Sequence, residues 1–248
     1  MNAKPGDATY VVAQAAKLKK RDADFAVNPA RRDWNRDQPN GRKVIYLTLD
    51  DGPSANTERV LDTLDKYGCK ATFFVTGQNP EYFDWIKEAY DRGHTIGLHS
   101  MTHDFARCYS STEGFWQEFD EIGQVVKDQI GYVPCFIRFP GGASNTISSN
   151  YSQGIMTSLV QDVQDRGYQY YDWEESCGDG ADHSAQELVD GGCHPLDSEN
   201  VIYLAHDGAG KETTAEALPA IIEYYQAQGY SFEAIDRNTM LYQHGVSN

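Results

Sequence analysis

No window of this 248-residue chain approaches the roughly 18 uninterrupted apolar residues that a membrane-spanning helix needs. The first residues, MNAKPGDATY, show no basic stretch followed by an apolar run, so no signal peptide is read there. Basic residues are scarce, with 21 Lys and Arg against 37 Asp and Glu and a formal charge of −16. A phosphate backbone or an anionic lipid surface would be repelled by that charge, which excludes a nucleic-acid partner, whereas a neutral or partly cationic polymer would not be. The same surplus also serves simply to keep a surface solvated. Cysteines number five and never stand at CxxC spacing, which argues against a structural zinc site of that type. Cys177 and Cys193 flank a polar, Gly-rich segment. A bridge there would close a short loop and add about 3 kcal/mol, and two free thiols are an equal alternative. Cys69 and Cys135 lie in apolar surroundings and are expected to be buried. Neither GxGxxG nor GxxxxGK[ST] follows any apolar run, so dinucleotide and P-loop readings lose support.

What is present is a long alternation. Residues 1–40 stand apart as an extension or stalk rich in Ala, Lys, Arg and Asp, in which Tyr10, Val11, Val12 and Leu18 could line a short helix, and residues 28–41 read as a polar linker. From residue 41 to 248 the chain reads as one catalytic domain. Lys43–Leu49 is a short β-branched run, predicted as a buried strand. A helix follows over Ser54–Tyr67, with Ser54 as its expected N-cap. Further strands are predicted at Lys70–Val75, His94–Leu98, Phe136–Phe139, Tyr168–Tyr171, Val201–Ala205 and Ser231–Ile235. Helices are expected at Pro80–Arg92, Thr112–Ile130, within 153–166, near Ala185–Asp190 and near Thr214–Ala227. The Thr112–Ile130 segment carries Phe115, Phe119, Ile122, Val126 and Ile130 on one stripe. Strands alternating with helices of this length predict parallel βαβ units. About seven of them predict a closed or nearly closed barrel whose active site lies at the C-terminal ends of the strands, with an open doubly wound sheet as the alternative.

The chemistry-bearing residues fall at those strand ends. Thr48-Leu49-Asp50-Asp51-Gly52-Pro53 puts two carboxylates at an abrupt turn, where a cation and a guanidinium would relieve their repulsion. His99-Ser100-Met101-Thr102-His103 places two imidazoles four residues apart, which on one face of a helical turn would share a metal ion with one of those aspartates. Phe136-Ile137-Arg138-Phe139-Pro140-Gly141-Gly142 offers an arginine to hold a carboxylate and glycine N–H groups to face an oxyanion. Leu204-Ala205-His206-Asp207 ends an apolar strand in a histidine suited to general acid catalysis, and Tyr171-Asp172-Trp173 offers a carboxylate to charge it and a ring to pack on it. Each motif alone has a plainer reading as a polar turn; together, at one barrel mouth, they are specific.

These residues resemble the polysaccharide deacetylase family (carbohydrate esterase family four, the NodB-homology domain) over about residues 43–236, and the resemblance implies a distorted (β/α) barrel with about seven parallel strands. TLDDGP is similar to its T-F-D-D-G-P motif with Leu49 for Phe, HSMTH matches H-[ST]-x-x-H, and RFPGG is similar to R-x-P-x-G. The YDW and LAHD segments look like its fourth and fifth motifs. The resemblance implies Asp50 as general base, Asp51, His99 and His103 as metal ligands, Arg138 holding Asp50 ionised, and Asp172 tuning the general acid His206. It implies Gly141 and Pro140 in the oxyanion turn and Trp173 and Leu204 in the acetyl pocket. The implied metal is one divalent ion, Zn2+ foremost, with Co2+, Fe2+ or Ni2+ able to suit the same donors. Where many members carry an aromatic residue this chain has Gly141, which removes a side chain from the sugar groove but keeps the backbone N–H. The implied reaction is release of acetate from N-acetyl groups of a GlcNAc-containing polysaccharide, peptidoglycan first, outside the cytoplasm, with any leader or anchor lying outside this chain. An acetyl-ester (xylan-type) deacetylase and a non-catalytic carbohydrate-binding homologue are the alternatives. Oligomeric state is not readable from the chain.

Overall fold

The computed structural model describes residues 21–34 and 41–248. The helix read on Tyr10, Val11, Val12 and Leu18, and the middle of the 28–41 linker, lie outside the described residues. A helical stretch at residues 21–25 (α1) comes first. It is followed by β1 (Val44–Asp50), α2 (Thr57–Lys66), β2 (Thr72–Thr76), α3 (Asp84–Asp91), β3 (Thr95–Ser100), α4 (Phe105–Cys108), α5 (Thr112–Ile130) and β4 (Phe136–Ile137). Then come α6 (Ile155–Asp165), β5 (Gln169–Tyr170), β6 (Glu175–Ser176), α7 (Ala185–Gly192), β7 (Asn200–His206), α8 (Glu212–Ala227) and β8 (Ser231–Phe232).

Seven parallel strands pair in the order β5-β4-β3-β2-β1-β7-β6 and curl into an incomplete barrel. β8 wedges beside the lower half of β1, pairing Val44 and Ile45, while β2 pairs the upper half from Thr48 to Asp50. This is the barrel that the strand–helix alternation predicts, left open between β5 and β6.

Period-two alternation along each strand divides the side chains into two sets. Ile45, Leu47 and Leu49 point outward into the large core shared with the helices, together with Phe73, Val75, Leu98 and the α5 stripe of Phe115, Phe119, Ile122 and Val126. Val44 and Tyr46 point inward and pack with Phe74, Phe136, Tyr171, Ile202 and Ile235. Phe25 joins that inner cluster, meeting Phe136 edge-to-face at 5.0 Å, so the end of α1 packs against the lower end of the barrel. The inward set turns polar at the top. The same parity that buries Val44 and Tyr46 brings Thr48 and Asp50 inside, and in β7 the parity of Ile202 brings Leu204 and His206 inside. The β1–β7 register sets Asp50 directly beside His206.

Several elements differ in detail from the sequence expectation. The third strand runs on to Ser100, two residues past Leu98. The Pro80–Arg92 segment splits into a 3-10 turn at Pro80–Tyr82 and α3. β6, only two residues long and half-buried, has no periodic signal by which to be foreseen. Ser54 is not the cap of α2; the cap position is Asn56, which makes no side-chain capping bond. Ser54 Oγ instead donates to the Asp207 carbonyl at 2.6 Å and ties the DDGP turn to the end of β7. All five cysteines are free thiols, with Cys69 and Cys135 buried.

Candidate active site

β1 ends in two carboxylates that go different ways. Asp50 keeps strand geometry and is 2% exposed inside the barrel. Asp51 takes a left-handed backbone, φ 71°, which turns its side chain out of the strand and over the mouth. Gly52 is required next: any Cβ there would run into the carboxylate of Asp207.

His99, in β3, is buried, and its Nδ1 lies 2.8 Å from the carbonyl of Arg138. Donation from Nδ1 to that carbonyl leaves the lone pair on Nε2. Burial, opposed by the charges of Asp50 and Asp51, lowers the pKa of His99 and favours this neutral form. His103 does not lie on a helical turn with it, as the spacing suggested. The chain leaves β3 at Ser100 and reverses, and His103 sits at φ 55° ahead of α4, with its N–H donating to Ser100 Oγ at 2.9 Å. The two rings nonetheless converge, 5.0 Å between centroids.

Asp51 Oδ1 stands 3.6 Å from His99 Nε2 and 3.5 Å from His103 Nε2. The donor atoms of these three residues all lie within 4.8 Å of one another. Asp51 Oδ1 is buried and has no hydrogen-bond partner among the described residues. A buried acceptor left unpaired beside two imidazole nitrogens is costly without a cation, and one carboxylate with two histidines is a donor set for a divalent ion with positions left open. The residues therefore fit a metal.

Arg138, fully buried, is the hub beneath. Its Nη1 donates to Asp50 Oδ1 at 2.9 Å and to Thr48 Oγ1 at 2.7 Å, and Nε and Nη2 donate to the carbonyls of Tyr171 and Asp172 at 2.8 and 3.0 Å. Asp50 is thus gripped through one oxygen, while Oδ2 faces His99 Nε2 at 3.7 Å.

Asp172 does not reach His206. It is buried on the far side of the glycine turn, accepting from the Ala143 N–H at 2.9 Å and the His244 N–H at 2.8 Å. Burial raises its pKa, against those two hydrogen bonds. The partner of His206 is Asp179, a residue not singled out from the sequence. Its Oδ1 lies 2.8 Å from His206 Nδ1, and its Oδ2 accepts from the His206 N–H at 2.7 Å and from Thr214 Oγ1 at 2.9 Å. Burial by itself would lower the pKa of His206, but the hydrogen bond and charge of Asp179, with Asp50 and Asp51 beyond, outweigh it and raise the value. Reciprocally, the bonds from His206 and Thr214 hold Asp179 below its usual range despite burial. Sequence reasoning missed Asp179 because it sits in the polar Gly-rich CGDG segment after β6, where no strand end marks it.

A second missed residue is Glu118, on the buried face of α5 and 1% exposed. Its Oε2 accepts from the Thr102 N–H at 2.7 Å and Thr102 Oγ1 at 2.8 Å, and Oε1 pairs with Arg107 Nε at 3.0 Å. It anchors the reversal that aims His103. Glu118→Ala is expected to leave the part-buried Thr102 N–H without its partner at a cost of about 1 kcal/mol. It should also weaken divalent-metal affinity roughly 10–100-fold, the scale for groups that orient metal ligands. Denaturant melts and metal titration check both, and wild-type metal affinity would contradict the anchoring role.

A cavity of about 220 Å³ opens over these groups, lined by Asp50, Asp51, His99, His103 and His206, with Phe105, Gly141, Trp173, Leu204 and Lys211 around them. Pro140 lies just behind, its carbonyl accepting from Tyr109 at 2.8 Å. Gly141, at φ 76°, presents an N–H with no hydrogen-bond partner among the described residues. The arrangement joins, around one small space, a triad that fits a metal, a fixed carboxylate and an imidazole whose pKa is raised, the parts of a hydrolytic centre.

That combination on a curled parallel barrel is the polysaccharide deacetylase class, and the comparisons agree. Residues 37–157 match the family model described as polysaccharide deacetylase. The chain is 32% identical over 200 residues to a peptidoglycan-N-acetylglucosamine deacetylase of Bacillus cereus, covering 78% of this chain and 69% of that one. The catalytic domain of a peptidoglycan N-acetylglucosamine deacetylase from Eubacterium rectale superposes with a TM-score of 0.81 at 39% identity, covering 89% of this chain and all of that one. A bifunctional xylanase/deacetylase of Pseudobutyrivibrio xylanivorans is 32% identical over 196 residues, 78% of this chain and 30% of that one. This chain belongs to the polysaccharide deacetylase family.

Proposed function

We propose that this protein is a divalent-metal-dependent N-deacetylase that releases acetate from a GlcNAc-containing polysaccharide, with peptidoglycan as its polymer and zinc as its metal, acting outside the cytoplasm. The observation that carries this reading is the convergence of Asp51, His99 and His103 within 4.8 Å of one another, beside a carboxylate held by Arg138 and an imidazole held by Asp179. The names of the Bacillus and Eubacterium relatives support the substrate. The GlcNAc unit is uncharged before reaction and gains an amine after it, so the acidic chain, −16 formally, does not repel the sugar on which it acts.

Asp51, His99 and His103 would hold the ion, which supplies Lewis acidity to a carbonyl and to water when bound. Asp50 Oδ2 takes the proton of the attacking water, with Arg138 keeping the carboxylate ionised and aimed. The Gly141 N–H donates to the oxygen that gains charge as the carbonyl carbon becomes tetrahedral. His206, its Nδ1 engaged by Asp179, delivers a proton from Nε2 to the leaving nitrogen. Trp173 and Leu204 wall the acetyl group, and Pro140 fixes the turn that aims Gly141. Asp172 anchors that turn rather than tuning the acid.

His103→Ala is expected to abolish stoichiometric metal binding and acetate release together. Retention of one tightly bound ion per chain would remove His103 from the ligand set. The xylanase/deacetylase relative favours one second reading, cleavage of acetyl esters by the same residues. Side-by-side rates on N-acetylated oligosaccharides and acetylated xylan separate the two.

A further inference from the structure

The glycine at position 141 leaves the sugar groove without the aromatic side chain that a residue there could supply, and its φ of 76° strains any replacement. The space is filled from elsewhere. A Cβ on Gly141 would stand 3.1 Å from Cζ and 3.2 Å from Cε1 of Phe105, so the ring lies directly over the glycine. The neighbouring Gly142 bears a second ring in the same way, with Trp173 Cη2 at 3.0 Å from its would-be Cβ. The two glycines seat two aromatic rings, one from the metal-ligand loop and one from the strand end after β5, and both rings line the cavity.

Phe105 is held in place on several sides. It begins α4, whose N-cap Asp104 accepts from the Ala106 N–H at 2.8 Å. Its ring meets His103 edge-on at 5.6 Å and leans on Tyr109 at 5.6 Å. Tyr109 is buried and bonded to the Pro140 carbonyl, which ties the ring to the glycine turn. The ring is only half-buried, with the rest of its surface facing a cavity otherwise rich in carboxylates and imidazoles. Pyranose rings present flat faces of C–H groups that pack on aromatic surfaces.

We propose that Phe105 is a substrate-positioning residue, the aromatic wall on which a sugar ring packs beside the scissile acetamide, supplied by the metal-ligand loop in place of a side chain at Gly141. This rests on the deacetylase reading above. The test is steady-state kinetics of zinc-loaded wild type, Phe105→Leu, Phe105→Met and Phe105→Tyr on chitotetraose, with zinc affinity measured in parallel. The two aliphatic variants, which keep apolar bulk over Gly141, should raise KM roughly 2- to 10-fold, the worth of one aromatic contact. The change in kcat and in zinc affinity should be smaller than that, and Phe105→Tyr should restore KM. Wild-type KM in both aliphatic variants, or a loss confined to kcat with weakened zinc, overturns the proposal and makes Phe105 a strut for His103 alone. No acetate from wild type on any N-acetylated substrate overturns the deacetylase reading and this inference with it.

Discussion

Replacing Asp50 by Asn is expected to lower acetate release roughly 10²–10⁴-fold, the scale on which a positioned general base acts, while one metal ion per chain is still bound. The carboxylate divides its oxygens: Oδ1 takes the Arg138 guanidinium at 2.9 Å and Oδ2 faces His99 Nε2 at 3.7 Å. The amide keeps the shape and can still accept from Arg138 through its oxygen, but it cannot take a proton from water. It also leaves a fully buried guanidinium without its counter-charge, so a loss of stability is expected as well, up to the roughly 3–5 kcal/mol seen when one member of a buried ion pair is removed. Kinetics should therefore be read below the melting range of the variant, with metal content measured on the same sample. Turnover within tenfold of wild type, with metal retained, would take the base role away from Asp50.

The second large effect is expected at Asp179. Its carboxylate raises the pKa of His206 above the ordinary value near 6.5, against the pull of burial. A general acid must carry its proton, so activity falls as pH rises through the pKa of His206. With Asp179→Asn that pKa drops, and the alkaline limb of the rate profile moves to lower pH. Near neutrality a larger share of the enzyme then lacks the proton, and His206 loses the bond that orients it. Together these should cost roughly 10²-fold or more, within the range for removing a general acid. Stability follows the same sign. The protonated His206 is favoured in the folded state, so its contribution is fully present below pH 6.5 and is lost as pH rises through the higher folded value. Asp179, lowered from 3.8, contributes above that pH and loses its contribution as pH falls through the folded value. An unmoved alkaline limb in Asp179→Asn would show that Asp179 does not set the charge of His206. The matching experiment on Asp172→Asn should leave the limb in place, because Asp172 bonds the Ala143 and His244 amides and not the imidazole.

The barrel and most of its mouth were legible because strand parity is a strong signal. Once Lys43–Leu49 is read as a buried strand, alternation alone sends Asp50 inward, and apolar runs ending in Arg138 and His206 do the same from two other strands. Where the backbone leaves regular geometry the spacing misleads. Four residues between His99 and His103 look like one helical turn, yet the rings meet through a reversal built on a positive φ at His103 and a buried Glu118 from another element. Tyr171-Asp172-Trp173, ending an apolar run upstream of His206, offers a carboxylate for the imidazole, yet the carboxylate bonded to it is Asp179, after a two-residue strand with no pattern of its own. Parity reports which way a side chain points along a regular strand and is silent elsewhere, and the residues it leaves unmarked stand off the strands, Asp179 in a loop, Phe105 at the start of α4 and Glu118 on α5.

The most direct test of the whole account is acetate release from chitooligosaccharides and from purified peptidoglycan, measured with zinc supplied and again with chelator. The account predicts release from at least one of them that chelator abolishes and zinc restores. No release from either substrate by protein shown to hold its metal, or release that chelator leaves untouched, would contradict it.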